Sequence, residues 1–149
     1  MKRFEFPLEK ALEIRGLRKL LAEEKLGEAQ REENRTRARL NLAYGMRDEC
    51  FEEMRAAMGG RVDPEGIRQL VRYESSLEDE IMRQRGDVTK REAAARVALE
   101  VVVERTKEER ALEKHRENRL REYRSLYWWD QGKVLDEIGA QRFTRGKGR

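Results

Sequence analysis

Apolar residues recur at steps of three and four along two long stretches of the chain, the spacing of one face of an α-helix. In the first stretch Leu8, Leu12, Leu17, Leu21, Leu26, Ala29, Leu40, Ala43, Cys50 and Met54 mark a thin stripe. It drifts, and between Gln30 and Arg39 it nearly vanishes. Gly16, Gly27 and Gly45 each cost a helix interior about 1 kcal/mol relative to Ala, so this helix is expected to be continuous yet easily bent. The second stretch is the better coiled-coil sequence: Ile67, Leu70, Glu74, Leu77, Ile81, Gln84, Val88, Arg91, Ala95, Ala98 and Val102 follow a 3.5-residue repeat. Beyond Arg105 that register falters, and Leu112, Leu120, Tyr123, Tyr127 and Val134 indicate that a different face takes over.

Between the two stretches lies the only strong punctuation, Met58-Gly59-Gly60-Arg61-Val62-Asp63-Pro64-Glu65. Gly59 can supply a left-handed residue that ends the first helix, Asp63 can cap the next, and Pro64 suits its first position. The expectation is an all-α fold of two long antiparallel helices, a coiled-coil hairpin forming one domain. Helix 1 covers about 7–58, the turn 59–63 and helix 2 about 64–141, with a flexible basic tail over 142–149. At 1.5 Å rise per residue, helix 1 would be roughly 75 Å long and helix 2 longer by about half, which makes a rod.

Composition supports that picture. Charged residues make up 43% of the 149-residue chain against 38% hydrophobic, too little apolar material for a thick core but suited to exposed helices. Disorder is disfavoured by the periodic apolar positions and by only two prolines. Of the formal +4 charge, Arg142 to Arg149 carry four basic residues and no acid, so the preceding chain is balanced. A nucleic-acid binder would concentrate basic charge on its folded face, so no nucleic acid is expected as a partner. Pairs such as Glu33 with Arg37, Asp79 with Arg83, Glu92 with Arg96 and Glu117 with Arg121 read as helix-supporting surface pairs. No apolar stretch is long enough for a signal peptide or a membrane span, so membrane insertion is not expected.

Catalytic chemistry has little to stand on. Cys50 is the only cysteine and His115 the only histidine, set in a charged Lys114-His115-Arg116 run, so neither a metal site nor a nucleophile-histidine arrangement is expected. The chain has no phosphate-binding loop, and Glu23-Glu24 and Glu32-Glu33 point about 100° apart on a helix and cannot share a proton. The expectation is a non-enzymatic protein with no cofactor, catalytic residue or metal ligand. What a hairpin does not need is Tyr123, Leu126, Tyr127, Trp128 and Trp129 close together. They can either close the open end over Phe4, Phe6 and Leu8 or form an anchor for another protein, where Trp and Tyr dominate. Tyr44, Met46 and Phe51 opposite Tyr73 form a smaller group near the turn that reads as seam filling.

The opening Phe6-Pro7-Leu8-Glu9-Lys10-Ala11-Leu12-Glu13-Ile14-Arg15, followed by Ala22, Leu26 and Ala29, resembles the N-terminal pattern of the flagellar export protein FliJ. Ala111 to Arg119, then Tyr123, Asp130-Gln131, Leu135-Asp136-Glu137-Ile138 and Arg142-Phe143, is similar to that family's C-terminal signature. The resemblance implies a cytoplasmic protein, peripheral at the membrane, in the flagellar type III export apparatus. Such proteins are two-helix coiled coils similar to the γ stalk of rotary ATP synthases. They insert the end bearing both termini into the export ATPase hexamer, and they contact the export-gate membrane protein and export chaperones. Carried over by residue, the ring contact would involve Phe6, Leu8, Leu12, Arg15, Leu112, Arg119, Asp130, Gln131 and Asp136, joined by Tyr123 and Trp129 of the aromatic group. Gate contact would fall on Tyr73, Leu77 and Gln84. The equivalent stalk of a virulence-type secretion system and a generic structural coiled coil remain as alternatives.

Overall fold

The computed structural model describes residues 3–146. Two helices account for nearly all of them, α1 over Glu9–Met58 and α2 over Pro64–Gly146. They pack antiparallel, as cross-helix pairs such as Arg37 with Glu92 and Arg47 with Glu78 require. The expected helical hairpin is therefore the fold observed. Among the described residues no helix is long and apolar enough to cross a membrane.

The start of α1 is set by Pro7 and Leu8, which form a turn rather than the first helical residues. The Glu9 amide donates to the Phe6 carbonyl at 3.1 Å and that of Leu12 to Leu8 at 2.9 Å. Glu9 itself adds a negative charge at the positive end of the helix dipole. At the other end the helix stops without a left-handed residue, because no described glycine has positive φ. The Gly59 amide instead splits its hydrogen bond between Arg55 at 3.1 Å and Ala56 at 3.3 Å, a tightening of the last turn. The chain then bends through Gly59–Arg61, and the left-handed role expected of Gly59 is not used. Asp63 does cap α2: its Oδ1 accepts from the Glu65 amide at 3.1 Å and its carbonyl from Ile67 at 3.1 Å. Pro64 follows as the first helical residue, where its missing N–H costs nothing.

At its C-terminal side α2 runs to Gly146, five residues past the expected limit, since nothing in Gln141 to Arg145 breaks it. The Thr144 hydroxyl bonds back to the carbonyls of Ala140 and Gln141, both at 3.0 Å, and Arg145 lies in the last turn. The remainder of the expected basic tail, residues 147–149, lies outside the described residues.

The chain divides into two compact units, one made by residues up to Lys19 together with those from Glu104 onward, the other by Leu20–Val103. We refer to them as the terminal unit and the turn unit.

In the turn unit the least exposed α1 positions are Ala22, Leu26, Ala29, Glu33, Thr36, Leu40, Ala43, Arg47, Cys50, Met54 and Ala57. Their steps alternate four and three throughout, so α1 keeps a 3.5-residue seam across the stretch where apolar identity fades. Thr36 is buried there, with its hydroxyl donating to the Glu32 carbonyl at 2.8 Å, so it satisfies itself within its own helix. Glu33 and Glu92 both hold the Arg37 guanidinium; Glu33's hydrogen bond, then the charge of Glu92, raises its affinity for its proton. Opposite them Leu77, Ile81, Val88 and Ala95 are buried, as the heptad on α2 predicts, whereas Arg91 turns out to solvent. Leu21, placed on the apolar stripe by its identity, is 57% exposed, because the true repeat passes through Ala22.

Near the turn, Cys50 is almost fully buried and its thiol lies 3.6 Å from the Leu70 carbonyl. Burial, then the nearby carboxylates of Glu53 and Glu74, push that thiol up from the ordinary cysteine range. Arg47 occupies a seam position, with Nη1 donating to Glu78 at 3.2 Å and its guanidinium over the Tyr44 ring at 5.0 Å. Its Nε is buried without a partner.

Candidate partner-binding surface

In the terminal unit the same 3.5-residue repeat extends back from Ala22 onto Lys19, Arg15, Leu12 and Leu8. Two of these four are charged, and α2 meets one with a backbone carbonyl and the other with an acid. The Arg15 guanidinium donates to the Glu108 carbonyl at 2.8 Å, and Lys19 Nζ lies 3.0 Å from Glu109. Gly16 leaves space for that glutamate, since a Cβ there would stand 3.3 Å from Glu109 Oε1. Leu17, an expected stripe residue, is consequently displaced to the surface at 61% exposure, with Ile14 also half exposed. The seam of this unit thus includes a cross-helix ion pair beside its apolar contacts, and a partly exposed pair of this kind contributes about 0.2–1 kcal/mol.

The chain before α1 folds onto α2 through aromatic contacts. Phe6 is buried and its ring lies 5.7 Å from that of His115, while Phe4 meets Tyr123 at 5.5 Å. Glu9 reaches Arg116 at 3.1 Å and fixes the first turn against the same stretch. Phe4 and His115 are two members of this arrangement that sequence reasoning did not single out as site residues. Nothing in apolar periodicity marks them, because Phe4 precedes the helix and His115 lies among charges.

These contacts decide the fate of the aromatic group. Only Tyr123 is covered, by Phe4. From Arg124 to Gly146 every described residue is exposed except Gly132, which is half-buried. Trp128 is 70% exposed and Trp129 60%. Tyr127 and Trp128 touch each other edge to face at 5.8 Å, and Lys133 Nζ sits 3.5 Å above the Trp129 ring on the same helix. The expectation that the cluster closes over Phe4, Phe6 and Leu8 therefore holds for Tyr123 and fails for the tryptophans, which remain exposed.

Of the residues assigned to ring contact, Phe6, Leu8, Leu12, Arg15, Leu112, Arg119 and Tyr123 are gathered in the terminal unit around the start of α1. Phe6 is buried, Leu12, Arg15, Leu112 and Tyr123 are half-buried, and Leu8 and Arg119 are exposed. Trp129, Asp130, Gln131 and Asp136 all lie on the exposed length of α2 that follows. The gate set is less coherent. Tyr73 is exposed, Gln84 is half-buried and donates to Glu80 at 2.6 Å, and Leu77 is buried in the seam. Leu77 thus occupies a core position of the α2 repeat and could reach a partner only if the hairpin opened. Among the described residues no group of three His, Cys, Asp or Glu side chains could hold a metal ion.

Comparison with known proteins agrees with this architecture. Among solved structures, a protein described as a YscO homologue from Chlamydia trachomatis shares the fold, with a TM-score of 0.57 over 99% of each chain at 20% identity. No curated protein matches the chain. The family model described as flagellar FliJ protein matches residues 4–148, nearly the whole length. The chain therefore belongs to the FliJ family of type III export components.

Proposed function

We propose that this protein is the non-enzymatic central stalk of a flagellar export apparatus: its terminal unit enters the ring of the export ATPase hexamer and promotes ring assembly and hydrolysis. The observation that carries this reading is the exposed aromatic length of α2, Leu126 to Trp129, directly following the Phe4–Tyr123 contact. A free hairpin gains nothing from two solvent-exposed tryptophans, whereas a protein partner can use them as anchors. The mixed charge of the exposed helix faces supports it too, since an evenly charged surface does not lock to one subunit of a ring. Contact with the export-gate membrane protein falls in this reading on the turn unit, with Tyr73 and Gln84 as its accessible members. Export chaperones are further partners, and the site of action is the cytoplasmic side of the membrane.

The test is to mix the protein with the flagellar export ATPase and measure hydrolysis and hexamer formation. Stimulation is expected, and Trp129→Ala should weaken it more than Cys50→Ala does. Absence of both stimulation and complex would sink the stalk reading. The likeness to a YscO homologue supports a second reading, the equivalent stalk of a virulence-type system. Stimulation of that system's ATPase in preference to the flagellar one would select it.

A further inference from the structure

Burial is shared very unequally between the two compact units. Of the eight buried hydrophobic residues among those described, seven belong to the turn unit and only Phe6 to the terminal unit. Towards the start of α1 the seam thins: Leu8 is 42% exposed, Leu12 is half-buried, and the other two seam positions are Arg15 and Lys19. Leu12 does not close fully against α2, for it lines an open depression with Glu113, Arg116, Glu117 and Leu120. Residues 3–6 are in neither helix nor strand. They are tied to α2 by Phe6 on His115 and Phe4 on Tyr123, with Glu9 on Arg116 just behind them.

A segment opens locally at a cost set by the apolar contacts and protected hydrogen bonds it gives up, and this one gives up few. Phe6 is its one buried anchor, its ion pairs are partly exposed and therefore weak, and Gly16 lowers the intrinsic stability of the helix between Glu9 and Lys19. The face beneath it continues past it. At about 100° per residue Leu120, Tyr123, Tyr127, Val134 and Ile138 of α2 fall within about 60° of arc. Phe4 covers Tyr123, and Leu12 stands beside Leu120, whereas Tyr127, Val134 and Ile138 of the same stripe are exposed. One half of an apolar stripe is covered and the other half is bare.

We propose that residues 3–19 are a strap that releases from α2 as one unit while the turn unit stays folded. Release bares Leu120 and Tyr123 and joins them to the stripe that runs from Tyr127 to Ile138. The continuous apolar stripe thereby lengthens from roughly 17 to roughly 27 Å. Burial of Phe6 sets the equilibrium between the closed and released forms. The inference concerns this chain alone and does not rest on the ATPase reading.

Native-state hydrogen exchange of the full chain tests the strap. Amides of residues 12–19 are expected to exchange through an opening populated about a hundredfold more, or higher still, than the one that exposes residues 43–50. Phe6→Ala lies outside both helices and should speed exchange at residues 12–19 by more than about tenfold. Ile81→Val, a mild change in the turn unit, should speed exchange at residues 43–50 about fivefold and leave residues 12–19 unchanged. Equal protection of the two stretches, a parallel response of both to Ile81→Val, or indifference of residues 12–19 to Phe6→Ala would each overturn the proposal. So would a complete lack of protection at residues 12–19 in the unaltered chain, since a strap that never closes covers nothing.

Discussion

Truncating Leu21 and Ile81 separately tests which residues form the seam. Leu21 belongs to the stripe that apolar identity picks out on α1, yet it is 57% exposed. Ile81 on α2 is 1% exposed. Replacement by alanine removes three carbons from either side chain. At about 0.8 kcal/mol per buried carbon the transfer loss at Ile81 is roughly 2.4 kcal/mol, and the cavity left behind brings the expected cost to about 3 kcal/mol. At Leu21 more than half of the side chain is already in water, which limits the loss to under about 1 kcal/mol. Alanine's better helix propensity returns a few tenths of a kcal/mol at each position and leaves the difference intact. Urea unfolding followed by circular dichroism measures both. A Leu21→Ala variant as damaged as Ile81→Ala would refute the placement of the seam on Ala22 and return it to the leucine stripe.

Two further outcomes are expected. A double-mutant cycle on Lys19→Met and Glu109→Gln should give a coupling of about 0.5 kcal/mol that shrinks as salt is raised, since the side chains are 31% and 18% exposed. Zero coupling at low salt would mean that the charges are merely tolerated at these seam positions. For Cys50 the folded state holds its proton to higher pH than the unfolded chain. The resulting stability is complete below the unfolded thiol's value, near 9.0, and is lost as pH rises through the folded one. Wild type should thus lose stability between pH 9 and stronger alkali more steeply than Cys50→Ala, and equal slopes would contradict the burial of the thiol.

Much of the fold is written in local pattern. Asp63 and Pro64 start α2 through short-range hydrogen bonding and fixed φ, and the heptad from Ile67 to Val102 needs only side-chain volume to show its inward face. The absence of proline between Leu8 and Met58 was enough to keep α1 continuous. Family membership was likewise carried by local elements such as Ala111 to Arg119 and Leu135 to Ile138.

Pairing decided the rest. On α1 the inward positions include Arg15, Lys19, Glu33, Thr36 and Arg47, whose polarity hides them from any reading by apolar identity. Lys19 and Arg47 become interior only because α2 brings Glu109 and Glu78 to meet them, and Arg15 because it reaches the Glu108 backbone carbonyl. Glu33 does so because Arg37 of its own helix holds it, and Thr36 because a hydroxyl can bond its own helix. The same holds for the aromatic group of α2. Composition shows that Tyr123, Trp128 and Trp129 are close in sequence, but which are covered depends on where Phe4 and Phe6 land. Burial is a property of two segments at once, and a single periodic pattern carries only half of it. The sequence by itself determined two helices and the turn between them. Tertiary structure decided that their seam is partly ionic and that the tryptophans stay exposed.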